Sequence, residues 1–129
     1  MKSIYLDAGE EYILVIDGDT IELKNGERIR LLDIDAPEAS EPFYQEATLA
    51  LREMVEGGKI VLEKDPFLER DKYGRLLRYV FSDGKLVNCE LVRLGFAKNV
   101  GRENSKYYNC LQKAEQEARE RKIGIWSSS

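Results

Sequence analysis

Five carboxylates crowd two short stretches of this sequence: Asp17 and Asp19 flank Gly18, and Asp33, Asp35 and Glu38 follow close on one another. Arg30 stands just ahead of the second group, and Arg75 closes Asp71-Lys72-Tyr73-Gly74-Arg75. Carboxylates with no imidazole or thiolate among them suit a hard cation such as Ca²⁺, Mg²⁺ or Mn²⁺. Arginine is always charged, and its planar fork matches phosphate or carboxylate. A cation flanked by two guanidiniums would bind a phosphate and stabilise charge building on its oxygens. Each part also has a plainer reading. Asp17-Gly18-Asp19 is equally a turn, in which aspartates satisfy backbone donors. It is no EF-hand, because the fifth and sixth loop positions are Ile21 and Glu22. An arginine on a strand is commonly a solvated or ion-paired surface residue. Arg30 and Asp35, five residues apart, point to opposite faces of a straight strand, so a shared site demands a bend.

Composition removes most competing chemistry. The chain has 129 residues and no histidine, which excludes a Ser–His–Asp triad, a Cys–His pair, a zincin helix and an imidazole base. Cys89 and Cys110 are the only two cysteines, too few for a structural zinc site without histidine. They are either separate buried thiols or a disulfide, and a disulfide would favour an extracytoplasmic or thermophilic setting. Twenty basic against 24 acidic residues give a net charge of −4. A broad polyanion-binding surface is therefore not expected, and phosphate contact must come from a local cluster. No run approaches the ~18 apolar residues of a membrane span. Met1-Lys2-Ser3-Ile4-Tyr5-Leu6-Asp7 lacks the apolar core of a signal peptide. The expectation is no membrane association, and either an intracellular chain or a mature secreted form.

The elements that must position these residues alternate early and turn helical later. Tyr12–Ile16 reads as a strand. Ile21 and Leu23, then Ile29 and Leu31, alternate with polar residues on either side of Asn25-Gly26. That dipeptide predicts a hairpin with both turn residues at positive φ. From Glu41 to Glu56, Phe43, Ala47, Ala50, Leu51, Met54 and Val55 recur at helical spacing. Pro42 falls in the expected first turn and Gly57-Gly58 at the end. Lys59–Lys64 and Leu76–Ser82 read as strands around a charged loop, Asp65 to Arg75. Val87, Leu91 and Leu94 mark a short helix closed by Gly95. Leu111, Ala114 and Ala118 mark a longer one ending near Gly124. Five strands and three helices predict an α+β fold, a small barrel with helices packed against it, formed by residues 1–129 as a single domain.

Three blocks within this frame are similar to the signature blocks of the staphylococcal (micrococcal) nuclease family. They are Val15-Ile16-Asp17-Gly18-Asp19-Thr20, Arg30-Leu31-Leu32-Asp33-Ile34-Asp35-Ala36-Pro37-Glu38 and Asp71-Lys72-Tyr73-Gly74-Arg75. The resemblance continues through Asp83-Gly84-Lys85-Leu86-Val87-Asn88, Leu91-Val92-Arg93 and Ile125-Trp126-Ser127, covering about residues 11–127. It implies an OB-fold, a five-stranded Greek-key β-barrel with three α-helices. It also implies Ca²⁺-dependent hydrolysis of DNA and RNA to 3′-phosphates by a monomer. Carried over by position, Asp19, Asp35 and the backbone carbonyl of Ala36 would ligate Ca²⁺, with Thr20 beside them. Glu38 would activate the attacking water. Arg30 and Arg75 would hold the scissile phosphate, and Lys72 and Tyr73 would contact a terminal phosphate.

The sequence also departs from that pattern. The loop after Glu38 is shorter than in the staphylococcal enzyme. Asn99-Val100-Gly101 stands where that enzyme presents a tyrosine to a base. Tyr107 or Tyr108 would either replace it or pack between elements. Asp33 is either a carboxylate supporting the site or simply exposed, and Trp126, Tyr79 and Phe81 read as core aromatics. The alternative function is a noncatalytic OB-fold module that binds nucleic acid. Degenerate modules of that kind have lost one or more of the named groups, whereas this chain carries all of them.

Overall fold

The computed structural model of the protein describes residues 3–7, as backbone, and 13–128. Tyr12, where the first expected strand begins, lies outside the described residues. The alternating segments form strands: β2 (Ile13–Asp17), β3 (Thr20–Leu23), β4 (Arg28–Leu31), β6 (Lys59–Lys64) and β7 (Leu76–Ser82). Further strands join them: β1 (Ser3–Asp7) and the two-residue β5 (Ile34–Asp35), β8 (Lys85–Leu86) and β9 (Lys98–Asn99). The helices are α1 (Tyr44–Val55), α2 (Val87–Arg93) and α3 (Tyr108–Arg121), followed by a 3₁₀ turn at Gly124–Trp126.

The main sheet runs β1-β6-β7-β4-β3-β2, with β8 on β7. Its pairs are antiparallel except β4 with β7, which are parallel. Numbered among themselves in chain order, β2, β3, β4, β6 and β7 take the spatial order 1-2-3-5-4, with the third and fifth parallel. This is the Greek-key order of an OB-fold, in an α+β chain with three helices, as the sequence predicts. Ile21, Ile29, Leu31, Ile60, Leu62 and Val80 project from the sheet into one core, where Leu51, Leu91 and Leu111 meet them from the three helices. Each such side chain contributes roughly 1.5–3 kcal/mol by leaving water. Among the described residues no helix is long and apolar enough to cross a membrane.

Two local expectations are corrected. In the β3–β4 connection only Gly26 takes a positive φ, at 90°. Asn25 instead accepts the Glu27 N–H on its side-chain oxygen at 2.9 Å. Lys24 and Glu27 thus belong to the turn, and the hairpin is wider than a two-residue loop. The first helix begins at Tyr44 rather than near Pro42, because Phe43 adopts a left-handed conformation, φ 71°, that reverses the chain ahead of it. Trp126 is half-buried beneath the Arg119 guanidinium, 4.0 Å from the ring centroid, and caps α3 rather than filling the core. Tyr79 is buried, and Phe81 is half-buried.

Cys89 of α2 and Cys110 of α3 form a disulfide, with Cα atoms 6.3 Å apart. Their separation of 21 residues corresponds to a stabilisation of about 3 kcal/mol through restriction of the unfolded chain. A Cys89→Ala/Cys110→Ala variant should therefore melt well below the parent in non-reducing buffer. Reductant should lower the parent's Tm towards the variant's and leave the variant's unchanged.

Candidate active site

The turn between β2 and β3 is built to hold Asp19 inside. A Cβ on Gly18 would fall 2.8 Å from both the Ala36 and Ala47 side-chain carbons, so only glycine lets the turn approach α1 so closely. Asp19 is 6% exposed. Its Oδ2 accepts the Ala36 N–H at 2.8 Å, and its Oδ1 accepts the Thr20 hydroxyl at 3.2 Å. The Asp19 N–H donates to Asp17 at 3.1 Å. Asp17 thus serves the turn, while Asp19 turns inward to Ala36 and Thr20.

The bend that Arg30 and Asp35 require is present. β4 ends at Leu31, Asp33 takes a left-handed φ of 67°, and β5 begins at Ile34. Arg30 lies inside the bend, with Nη1 donating to the carbonyls of Leu31 at 2.7 Å and Ile34 at 2.8 Å. Its Nη2 lies 3.3 Å from Asp19 Oδ2 and 3.5 Å from Asp35 Oδ1. The two aspartates therefore share one face, joined by one guanidinium nitrogen. Asp35 is exposed and Asp19 is not.

Burial pushes the Asp19 carboxyl up to about 6 from its ordinary 3.8, against the opposing pull of Arg30 and the Ala36 N–H. Desolvation is the main cause, with a smaller upward contribution from Asp17. The folded state holds this proton more tightly than the unfolded chain does. Stability from the group is complete below about pH 4 and is lost as pH rises through 6. At pH 8 in chelator, Asp19→Asn should accordingly raise stability by about 1–2 kcal/mol, since asparagine keeps the acceptor for Ala36. Denaturant melts at pH 4 and pH 8 check this, the gain vanishing at the lower pH.

Across from Arg30, Asp71 organises the second arginine's loop. Its carboxylate accepts the backbone N–H groups of Tyr73 at 3.0 Å and Arg75 at 2.9 Å, and Arg75 Nε at 2.6 Å. Burial alone would raise the Asp71 carboxyl, but these hydrogen bonds hold it below the usual range. It remains anionic and keeps Arg75 extended. Tyr73 is 72% exposed, with Lys72 and Arg75 at 5.3 and 5.4 Å from its ring centroid. Arg30, Arg75, Lys72 and Tyr73 line one cleft of about 380 Å³.

Glu38 stands apart. It is exposed, and among the described residues its carboxylate makes no hydrogen bond or ion pair. Its backbone is fixed: the Glu38 N–H donates to Glu41 Oε1 at 2.7 Å, and the Glu41 N–H returns to the Glu38 carbonyl at 2.8 Å. The structure thus unites Asp19, Thr20, Arg30, Asp35 and Ala36, and through Arg30 this group adjoins the cleft lined by Lys72, Tyr73 and Arg75. Glu38 waits on a braced turn just beyond Ala36 and Pro37.

Oxygen donors at Asp19, Asp35 and the Ala36 carbonyl suit a hard cation, and a buried carboxylate held at a desolvation cost favours one further. Among the described residues no three acidic or sulfur side chains converge into a cage. Any ion would therefore complete its shell with water or substrate oxygens. Leu68, Val100 and Arg102 also line the cleft. Val100 lies in the Asn99-Val100-Gly101 segment that departs from the family pattern, and no sequence pattern marked Leu68 or Arg102. Tyr107 packs edge-on against Tyr79 at 4.8 Å, with its hydroxyl donating to Glu63 at 2.6 Å, so it serves packing.

The family described as staphylococcal nuclease homologue matches residues 28–128. The chain belongs to this nuclease family. It is 41% identical over 125 residues to the SPbeta prophage-derived endonuclease YokF of Bacillus subtilis (strain 168), covering 88% of this chain and 42% of that protein. Endonuclease YncB of the same organism is 42% identical, covering 88% of this chain and 59% of its own length. The chain thus spans only about half the length of these two relatives. Thermonuclease of Staphylococcus intermedius is 34% identical over 130 residues, covering 92% of this chain and 77% of that protein.

Proposed function

We propose that this chain is a Ca²⁺-dependent phosphodiesterase that cleaves DNA and RNA endonucleolytically, leaving 3′-phosphates. The observation that carries the reading is the joining of Asp19 and Asp35 through Arg30, which also lines the cleft that Arg75 lines. Asp19, Asp35 and the Ala36 carbonyl would hold Ca²⁺, with Thr20 steadying Asp19. The bound ion would supply positive charge to a phosphate oxygen. The names of the relatives, endonuclease and thermonuclease, support the same substrate class.

The chain's own residues account for the rest. A phosphodiester in the cleft meets Arg30, whose orientation two carbonyls fix, and Arg75, whose orientation Asp71 fixes. Arg75, held through Nε, keeps its terminal nitrogens available and does not have to reorganise as the phosphoryl oxygens gain charge, which is where preorganised donors contribute most. Lys72 and Tyr73, which line the same cleft as Arg75, would meet a terminal phosphate. Glu38, exposed and with a carboxylate free of partners among the described residues, takes a proton from a water as its oxygen bonds to phosphorus. The P–O5′ bond breaks, the 5′-oxygen leaves as a hydroxyl protonated by solvent, and the phosphate stays on the 3′ side. End-group analysis checks this directly. Fragments of a 5′-labelled single strand should shift in mobility on treatment with a 3′-phosphatase, and fragments already bearing 3′-hydroxyls would refute the stated bond cleavage.

A further inference from the structure

Asp33 occupies the apex of the bend that carries Asp35 back towards Arg30. It is one of four described non-glycine residues at positive φ, a strained conformation for a side chain that persists only where surrounding contacts enforce it. Those contacts are unusually complete. The buried Tyr79 of β7 donates its hydroxyl to Asp33 Oδ2 at 2.6 Å. The Asp33 carbonyl accepts the Val100 N–H at 2.9 Å. A Cβ on Gly101 would come within 2.9 Å of the Asp33 side chain, so glycine there leaves room for it. On the preceding residue, the Leu32 N–H donates to the Arg78 carbonyl at 2.9 Å, and its carbonyl accepts Asn88 Nδ2 at 2.8 Å. Arg30 fills the inside of the same bend through the Leu31 and Ile34 carbonyls.

We propose that Asp33 and Tyr79 are positioning residues. Their hydrogen bond locks the bend that sets Arg30 and Asp35 on one face, and so fixes the cation-and-phosphate site without touching either ligand. The inference rests on the function proposed above. Side chains alternate along an extended strand, so relaxing residue 33 towards the extended region turns Asp35 away from Arg30 and Asp19. Tyr79 is a rigid anchor for this purpose: it sits within β7, which pairs with β4 on one side and β6 on the other. Burial, reinforced by the Asp33 carboxylate, raises its hydroxyl above the ordinary tyrosine value, so it stays a donor at any working pH.

The test compares the parent with Tyr79→Phe, Asp33→Ala and Asp33→Asn, each first shown to be folded by circular dichroism. Single-stranded DNA turnover is measured in saturating Ca²⁺, and CaCl₂ binding is measured separately by calorimetry. Tyr79→Phe and Asp33→Ala should lower kcat about tenfold, with a smaller change in KM, and weaken Ca²⁺ binding several-fold, the scale of a misplacement below 1 Å. Asp33→Asn should stay near the parent, because asparagine tolerates the left-handed region and still accepts the tyrosine proton. An active parent with Tyr79→Phe and Asp33→Ala at parental kcat and Ca²⁺ affinity overturns the inference and leaves the nuclease reading standing, even if their Tm falls. Should Asp33→Ala fail to fold, Tyr79→Phe alone decides. A parent that neither cleaves DNA nor binds Ca²⁺ overturns the nuclease reading and this inference together.

Discussion

Arg75→Ala should lower kcat by at least about 10²-fold while changing KM far less, as expected for a donor whose contact strengthens as charge develops on the phosphoryl oxygens. The structure adds a reason beyond charge. Arg75 Nε is held by Asp71 at 2.6 Å, so the far end of the fork is presented to the cleft already aligned. Arg75→Lys should recover little of the loss, because lysine keeps the charge without the planar fork that engages Asp71 and phosphate together. Steady-state hydrolysis of single-stranded DNA in saturating Ca²⁺ provides both constants. The side chain leaves no core cavity, so the folded state should lose no more than about 1–2 kcal/mol.

Glu38→Gln should be nearly as severe, lowering kcat by about 10² or more with affinity for a nonhydrolysable phosphate ligand largely kept. Glutamine preserves the shape and the backbone bonds to Glu41, removing only the capacity to take a proton. Because Glu38 is exposed and makes no ion pair among the described residues, its substitution should leave Tm close to the parental value. A large loss of stability instead of activity would mark it as a structural residue.

Most of the architecture was legible because its signals are local. Alternation at Ile21, Leu23, Ile29 and Leu31 and the helical spacing of Ala47, Ala50, Leu51 and Val55 each follow from which face is buried. The misreadings sit where one residue's backbone overrode the pattern: Phe43 delays the first helix, and Asn25 stays out of the left-handed region. Within the site, residue types and spacing pointed to a group of five carboxylates with Arg30 and Arg75, and the family resemblance singled out Asp19 and Asp35 among the carboxylates. The bend joining Arg30 to Asp35 was required but not visible, since nothing in Leu32-Asp33-Ile34 announces a left-handed aspartate held by Tyr79, forty-six residues away in sequence. Arg102 escaped notice for the same reason. Its place in the cleft depends on an ion pair with the buried Asp65 across the loop, at 2.9 Å.

The central claim is that Asp19, Arg30, Asp35 and Arg75 form a cation-assisted phosphodiester hydrolase site. Its most direct test is the rate at which the protein degrades single-stranded DNA in Ca²⁺, in chelator, and after Ca²⁺ is restored. The account predicts rapid cleavage with Ca²⁺, none above background in chelator, and full recovery on restoration, with Asp19→Asn inactive throughout. Binding of DNA without cleavage under all three conditions would contradict it, and would make the protein a noncatalytic OB-fold module.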